Sequence, residues 1–331
     1  MPAGRCARTV TGTAGAVEVS LACVSECAIL SRDRAEPLAG TAATARTWLL
    51  IEQPGPWGAK ALTGSRLDPG LGRALEAATE EAGTGVRVAL IRRPGRGHDR
   101  DGTRRVWLAH TGPGAAWIRT TGVTGESAAR DLLRLDFARL GAGHHDGLWT
   151  PHRGGPLTLV CTNGRRDRCC ASLGRPLATE LAAAGDCEVW EITHIGGHRF
   201  SPTLLTFPHG YAYGRMSAPA VKGVLAALRD GRVVTENCRG RSTWDRPGQA
   251  AELAVRELTG EGAADALTVE TGPPRGAART VGVRHRDGRR WRVEVTEETT
   301  GGPAPASCGA EPAPQPAFVA GPVVPVPGPA R

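Results

Sequence analysis

At roughly 150 residues per domain, a chain of 331 residues has room for about two domains with substantial cores, so a small disulfide-stapled scaffold is excluded. Hydrophobic residues at 40% and charged residues at 22% fit a soluble globular class, and no apolar run approaches the ~18 residues of a membrane span. The net charge of +8 arises from 41 basic and 33 acidic residues, with Lys60 and Lys222 the only lysines; the arginines are scattered along the chain rather than gathered with aromatic partners, so no specific nucleic-acid partner is expected.

The first residues carry no apolar core before a small-residue cleavage site, so no secretory signal is read and a cytoplasmic location is expected. Residues 1–45 are small, polar and Gly-rich, and read as a lead-in or capping element. TWLLIEQPGPWG then predicts a buried strand over Trp48 to Ile51, stopped by Pro54. LGRALEAATEEAG predicts a helix ending at Gly83, and GVRVALIRRPG and RRVWLAHTG predict strands. SAARDLLRLDFARLGAG predicts one amphipathic helix with Ser127 as its N-cap.

A second unit starts at GGPLTLVCTNG, a short buried strand over Leu157 to Val160. A helix is expected from Arg168 to Ala184, then a strand in CEVWEITH, a Gly-broken loop in HIGGH, a strand pair in TLLTFP and YAYGRM, and a helix in APAVKGVLAALRDG. This repeats the order of the first unit, βαβ followed by a hairpin and a helix, which is a thioredoxin-like arrangement. QAAELAVRELTG predicts a further helix, and TVGVRHRDGRRWRVEVTEE two strands around the turn Asp287-Gly288. Nine of the 25 prolines fall after Gly301, and this tail reads as extended and mostly disordered. The expected fold is therefore α/β, two thioredoxin-like units in tandem followed by a short β segment and a Pro-rich tail. The expected divisions are 1–150, 151–260, and 261–331 for the β-hairpin extension and tail.

Nine cysteines, an odd number in a chain with no export signal, are more often metal ligands, reactive thiols or buried small side chains than disulfides. The strongest cluster is CTNGRRDRCC, Cys161 to Cys170, followed by HIGGH, His194 to His198. Two soft thiolates and two imidazoles at the ends of adjacent strands make a four-ligand metal set. Gly196 and Gly197 oppose a helical histidine pair and favour a tight loop that turns both rings toward one point. Taken alone, Cys2His2 suggests zinc, although the gap from Cys161 to Cys170 exceeds the spacing usual in zinc fingers. Cys23-x3-Cys27 lacks a neighbouring His or Asp and reads as two buried thiols, with a second site or a reactive pair as the alternative; Cys187, Cys238 and Cys308 read as incidental. No glycine motif has phosphate-loop spacing, and no carboxylate pair is fixed for sugar hydrolysis.

CTNGRRDRCCASLGRPLATEL with WEITHIGGHRFSPTLLTFPHGYAYGRM resembles the sucrase/ferredoxin-like family, and CAILSRDRAEPLAGTAATARTWLLIEQPGPWG is similar to that family's first segment. The resemblance covers roughly residues 20 to 230. It implies that the second unit is a thioredoxin-like ferredoxin domain holding a 2Fe-2S cluster. Carried over by position, Cys161 and Cys170 would be the thiolate ligands and His194 and His198 the imidazole ligands, with Cys169 the alternative to Cys170. The family often has His where this chain has Asn163. The protein so implied is an electron carrier rather than a hydrolase, served by a redox partner protein, with no membrane partner. A zinc-stabilised Cys2His2 binding module, and a redox enzyme with a substrate site in the N-terminal half, are the other readings. Arg165, Arg166, Arg168 and Arg199 flank the ligands in sequence, and if they face the site they would raise its potential or dock an acidic electron-transfer partner.

Overall fold

A computed structural model describes residues 27–80, 83–95, 102–299 and 301–327. Cys6, Cys23 and the expected lead-in as far as residue 26 lie outside the described residues. The first half comprises α1 (Cys27–Asp33), β1 (Thr47–Glu52), α2 (Pro69–Glu80), β2 (Val86–Arg92), β3 (Thr103–His110), β4 (Trp117–Thr124), α3 (Gly125–Arg130), α4 (Phe137–Gly141) and β5 (Thr150–Pro151). The second comprises β6 (Leu157–Cys161), α5 (Arg168–Ser172), α6 (Gly174–Ala184), β7 (Glu188–Ile192), β8 (Leu204–Phe207), β9 (Tyr211–Tyr213), α7 (Ala218–Arg229), β10 (Cys238–Arg241) and α8 (Arg246–Thr259). Then follow β11 (Leu267–Arg275), β12 (Ala278–His285), β13 (Arg290–Thr299), β14 (Ala304–Pro305), β15 (Pro312–Ala313) and β16 (Pro316–Pro325).

The first ten strands form one mixed sheet in the order β10-β9-β8-β6-β7-β2-β1-β3-β4-β5. In each half a parallel pair, β1/β2 or β6/β7, carries an antiparallel hairpin, β3–β4 or β8–β9, on the far side of its first strand. The thioredoxin-like order thus occurs twice, and the copies meet where β2 and β7 run antiparallel, Ile91 opposite Ile192 and Arg92 opposite Glu191. Every residue of β1 and of β6 is buried, as a parallel strand covered on both faces requires. Alternate side chains divide between the faces: Trp48 and Leu50 join Leu159, Cys161, Trp190 and Ile192 in one core, while Leu49 and Ile51 pack with α2 residues, and Val160 and Val189 with α6 and α7.

Two expected helices are divided. The helix expected over 168–184 breaks at Leu173, because Pro176 has no N–H to give the Ser172 carbonyl and its ring crowds it. The helix expected from Ser127 becomes α3, a 3-10 turn over Asp131–Arg134 and α4; Thr124 occupies the first N-cap position, and Asp136 caps α4 by accepting the Arg139 N–H at 3.0 Å. Strands β4, β10 and β11, and the short β5, β14 and β15, are additional to the expected set.

A four-stranded antiparallel sheet, β11-β12-β13-β16, packs on α8. The tail expected to be disordered is extended but held: β16 pairs with β13 from Trp291↔Pro325 to Thr299↔Pro316. Its prolines fit because β16, like the Pro-containing β11, is an edge strand, where a missing N–H breaks no central ladder.

Between the two sheets lies a buried network. Tyr211 Oη donates to Glu252 Oε1 at 2.6 Å, and Arg256 donates to the same oxygen and to the carbonyls of Glu261, Ala263 and Ala264, with both charged side chains fully enclosed. Removing one partner strands the other charge without water, so Glu252→Ala is expected to cost about 3–5 kcal/mol in urea unfolding. Burial, reinforced by Arg46 and Arg241, also holds His110 down to about 4. Its unfolded value is about 6.5, so the unfolded chain binds the extra proton between these limits; stability falls as pH drops through that window and is unaffected above it. The unfolding midpoint of His110→Gln should fall less steeply from pH 6.5 to 4 than that of the parent.

Candidate metal centre

In sheets of this kind ligands gather beyond the carboxyl ends of parallel strands. β6 ends at Cys161, and the chain turns into α5, whose N-cap Asp167 accepts the Cys169 N–H at 2.8 Å. This cap sets the start of α5 so that its adjacent cysteines diverge. Cys170 meets Cys161 and His194, their ligand atoms all within 4.8 Å of one another, while Cys169 joins Cys27, Cys308 and Asp167 in a separate group of equal compactness. Of the two thiols left open by the sequence, it is therefore Cys170 that faces Cys161.

The histidines come from the loop after β7. Gly196 (φ +78°) and Gly197 (φ +68°) adopt left-handed backbone, which turns the chain sharply before a 3-10 turn over His198–Phe200. The imidazole centroids of His194 and His198 lie 5.1 Å apart, so His198 adjoins the three-residue group without belonging to it. Both Nδ1 atoms are buried and have no hydrogen-bond partner among the described residues. The Nε2 of His198 instead engages the Ala306 carbonyl and lies 3.6 Å from Asp167 Oδ2. An imidazole that gives its Nε2–H to a carbonyl leaves its Nδ1 lone pair available, the tautomer that metal-ligating histidines use when the other nitrogen is tied back.

The electrostatics favour an anionic sulfur. Hydrogen bonding with Cys170 holds the Cys161 thiol well below its ordinary range, against the opposing effect of burial, with His194 and the Ile195 N–H adding to the shift. The same contact and burial push Cys170 up. Burial also lowers His198, partly offset by Asp167. The flanking arginines do not form its cations: Arg165, Arg166 and Arg168 are exposed, and Arg199 pairs with Glu36 at 2.9 Å. The cations are Arg87 and Arg239, each lowered by burial and each raised by the charge of Cys161. Arg87 donates to the His194 carbonyl at 3.3 Å, and Arg239 donates to the Gly196 carbonyl at 3.1 Å and to Thr41 Oγ1 at 3.0 Å.

Sequence reasoning missed these two arginines and misplaced two thiols: Cys27 does acquire a completing Asp, and Cys308 is not incidental. Asp167, its side chain fully enclosed, was legible only as an N-cap preceding a short helix. Trp190 packs in the same core as Cys161 and Cys170, its indole edge-on to Trp107 at 4.7 Å.

The sequence profile of the sucrase/ferredoxin-like family matches residues 38–240, a span that contains every residue of the Cys161, Cys170 and His194 group. The chain belongs to this family. A curated relative, "Altered inheritance of mitochondria protein 32" of Meyerozyma guilliermondii, is 27% identical over 95 residues, which is 25% of this chain and 34% of that protein. The chain thus spans about a third of that relative's length. No solved structure matches. For this family member Cys161, Cys170 and His194 make a group that could hold a metal ion, and among the described residues no helix is long and apolar enough to cross a membrane.

A Cβ on Gly197 would lie 2.1 Å from Arg239 Nη2, in addition to the ~1–2 kcal/mol that a left-handed backbone costs other residues. Gly197→Ala should therefore lower stability by more than that backbone cost alone and reduce bound metal, measured by thermal unfolding and elemental analysis of the same preparation.

Proposed function

We propose that this protein is an electron-transfer protein whose second thioredoxin-like unit holds a 2Fe-2S cluster through Cys161, Cys170, His194 and His198. The observation that carries the reading is the pairing of two buried thiols at the end of β6 with two imidazoles whose buried Nδ1 atoms have no other partner among the described residues. When bound, such a cluster accepts and returns one electron. The protein's own residues set how readily it does so. Two thiolates and two neutral imidazoles leave an oxidised 2Fe-2S core roughly neutral, about two charges less negative than four thiolates would. Arg87 and Arg239 add positive charge near Cys161. Both effects favour the reduced state, so the potential belongs in the range of about −150 to +300 mV known for His2Cys2 ligation rather than near −400 mV.

The ligand types also define an entry side. Cys161 and Cys170 are fully buried, whereas His194 and His198 are partly exposed, so an electron crosses the boundary on the imidazole side. A redox partner protein docks there in this reading, because no second cofactor motif accompanies the site. The partner is a reductase or an acceptor.

The compactness of the Cys161, Cys170 and His194 group also suits a single zinc ion, and a zinc-stabilised module is the second reading. Metal analysis separates them. Anaerobically purified protein should contain iron and acid-labile sulfide in equal amounts and be coloured, and Cys161→Ser and Cys170→Ser should lose both. His198→Cys should retain a cluster with its potential lowered by on the order of 100 mV or more in a redox titration. Colourless protein with one zinc bound by these residues would establish the second reading instead.

A further inference from the structure

We infer that Cys27, Cys169, Cys308 and Asp167 form a second, mononuclear metal site of zinc type that ties the amino-terminal helix, the metal-centre helix and the carboxy-terminal strap together. The three sulfurs come from α1, α5 and the strand-poor stretch between β14 and β15, and they converge to Sγ–Sγ distances of 3.1 Å (Cys169–Cys308), 3.5 Å (Cys27–Cys169) and 3.6 Å (Cys27–Cys308). Both carboxylate oxygens of Asp167 lie 3.8 Å from the Cys27 sulfur. A tetrahedral ion with Zn–S bonds of ~2.3 Å places its sulfurs roughly 3.8 Å apart and a carboxylate oxygen slightly nearer, so two of the three sulfur pairs need to open by about 0.2–0.3 Å and the Cys169–Cys308 pair by about 0.7 Å to receive one. Three thiols and one carboxylate supply the four ligands of a single tetrahedral ion, which fits a mononuclear site.

Backbone N–H groups face two of the sulfurs, while the Cys169 contact and burial push the free Cys27 thiol up and burial pushes the free Cys308 thiol up, so the thiolate set forms together with the bound cation. The Ala28 N–H reaches the Cys169 sulfur, and the N–H groups of Cys27 and Cys169 reach Cys308. Asp167 is anchored by the backbone N–H groups of Cys169 and Cys308, each at 2.8 Å, which fixes one carboxylate on two of the contributing elements at once. Thiolate-rich sets select zinc over hard cations, and zinc binding displaces the thiol protons to solvent without any redox step. The site shares no residue with the proposed cluster; Asp167 meets the other centre through His198 and through its own carbonyl, which accepts the Cys170 N–H at 3.2 Å.

The test uses the full chain, expressed with added zinc, purified anaerobically and freed of loosely held metal on a chelating resin. Zinc, iron and sulfide are then measured in the parent and in Cys161→Ser, Cys27→Ser and Cys308→Ser. One zinc per chain is expected in the parent and in Cys161→Ser, and loss of that zinc in Cys27→Ser and Cys308→Ser, whatever the iron content of each. Should those two variants fail to fold, differential alkylation of the parent gives the answer. Zinc should shield Cys27, Cys169 and Cys308 from N-ethylmaleimide while Cys187 reacts, and a strong chelator should remove the shield. Zinc-free parent, zinc lost with Cys161 instead of Cys27 and Cys308, or alkylation of the three thiols indifferent to zinc would each overturn the inference. Failure of the iron measurements alone would strike the electron-transfer reading and leave this one standing.

Discussion

A fully buried guanidinium, Arg239, and a partly exposed one, Arg87, beside a buried thiol pair are the constraint on which the candidate centre depends. Arg239 is fully enclosed and directs its donors to the carbonyls of Thr41 and Gly196 and to the Thr41 hydroxyl, groups that satisfy its hydrogen bonds without neutralising its charge. A cation removed from water in this way needs an anion, and the Cys161 sulfur is the anionic group that raises both Arg239 and Arg87. The same two arginines grip the His194–Gly196 turn by its carbonyls, so charge balance at the thiols and the posture of the histidine loop are one interaction. Gly197 leaves the space that Arg239 fills.

The doubled fold explains why only one half carries this chemistry. The parallel pair β1/β2 opens toward its own carboxyl ends as β6/β7 does, but there the chain offers Glu52 and Arg92. Glu52 accepts the Arg105 N–H at 2.9 Å, and Arg92 pairs with Glu191 of β7 while stacking on Trp57 at 4.0 Å. At the corresponding place in the first half these side chains are engaged in ion pairing, hydrogen bonding and stacking, and the Arg92–Glu191 pair ties it to the second half. Glu191 in turn accepts the Thr162 hydroxyl at 2.7 Å, so the junction between the halves reaches the turn that follows Cys161. The first half braces the strand pair from which the centre is built.

Much of this was legible in the sequence where a period or a local signal sufficed. The apolar runs within β1 and β6, the Gly-broken HIGGH loop, α7 and the Asp287-Gly288 hairpin follow from neighbouring residues alone. The thiols and imidazoles of the centre were legible because each pair lies close in sequence. Strand β4, rich in Thr and only partly buried, shows no clean alternation, and β10 is a strand of Arg and Gly whose burial comes from partners elsewhere in the chain. Pro176 was a readable signal, and it divides the helix. The gathering of Cys27, Cys169 and Cys308 was not readable, because 281 residues separate the first from the last and nothing local marks their meeting. Likewise a run of prolines announces an extended chain, while its capture by the β13 edge depends on a sheet that forms far from it in sequence.

The proposed centre requires two imidazole nitrogens bound to the same metal centre as Cys161 and Cys170. Pulsed EPR of the reduced full-length protein measures this directly through nitrogen hyperfine couplings. Two strongly coupled nitrogens are predicted, one disappearing in His194→Ala and the other in His198→Ala. A paramagnetic centre with no coupled nitrogen, or couplings unchanged in both variants, would contradict it.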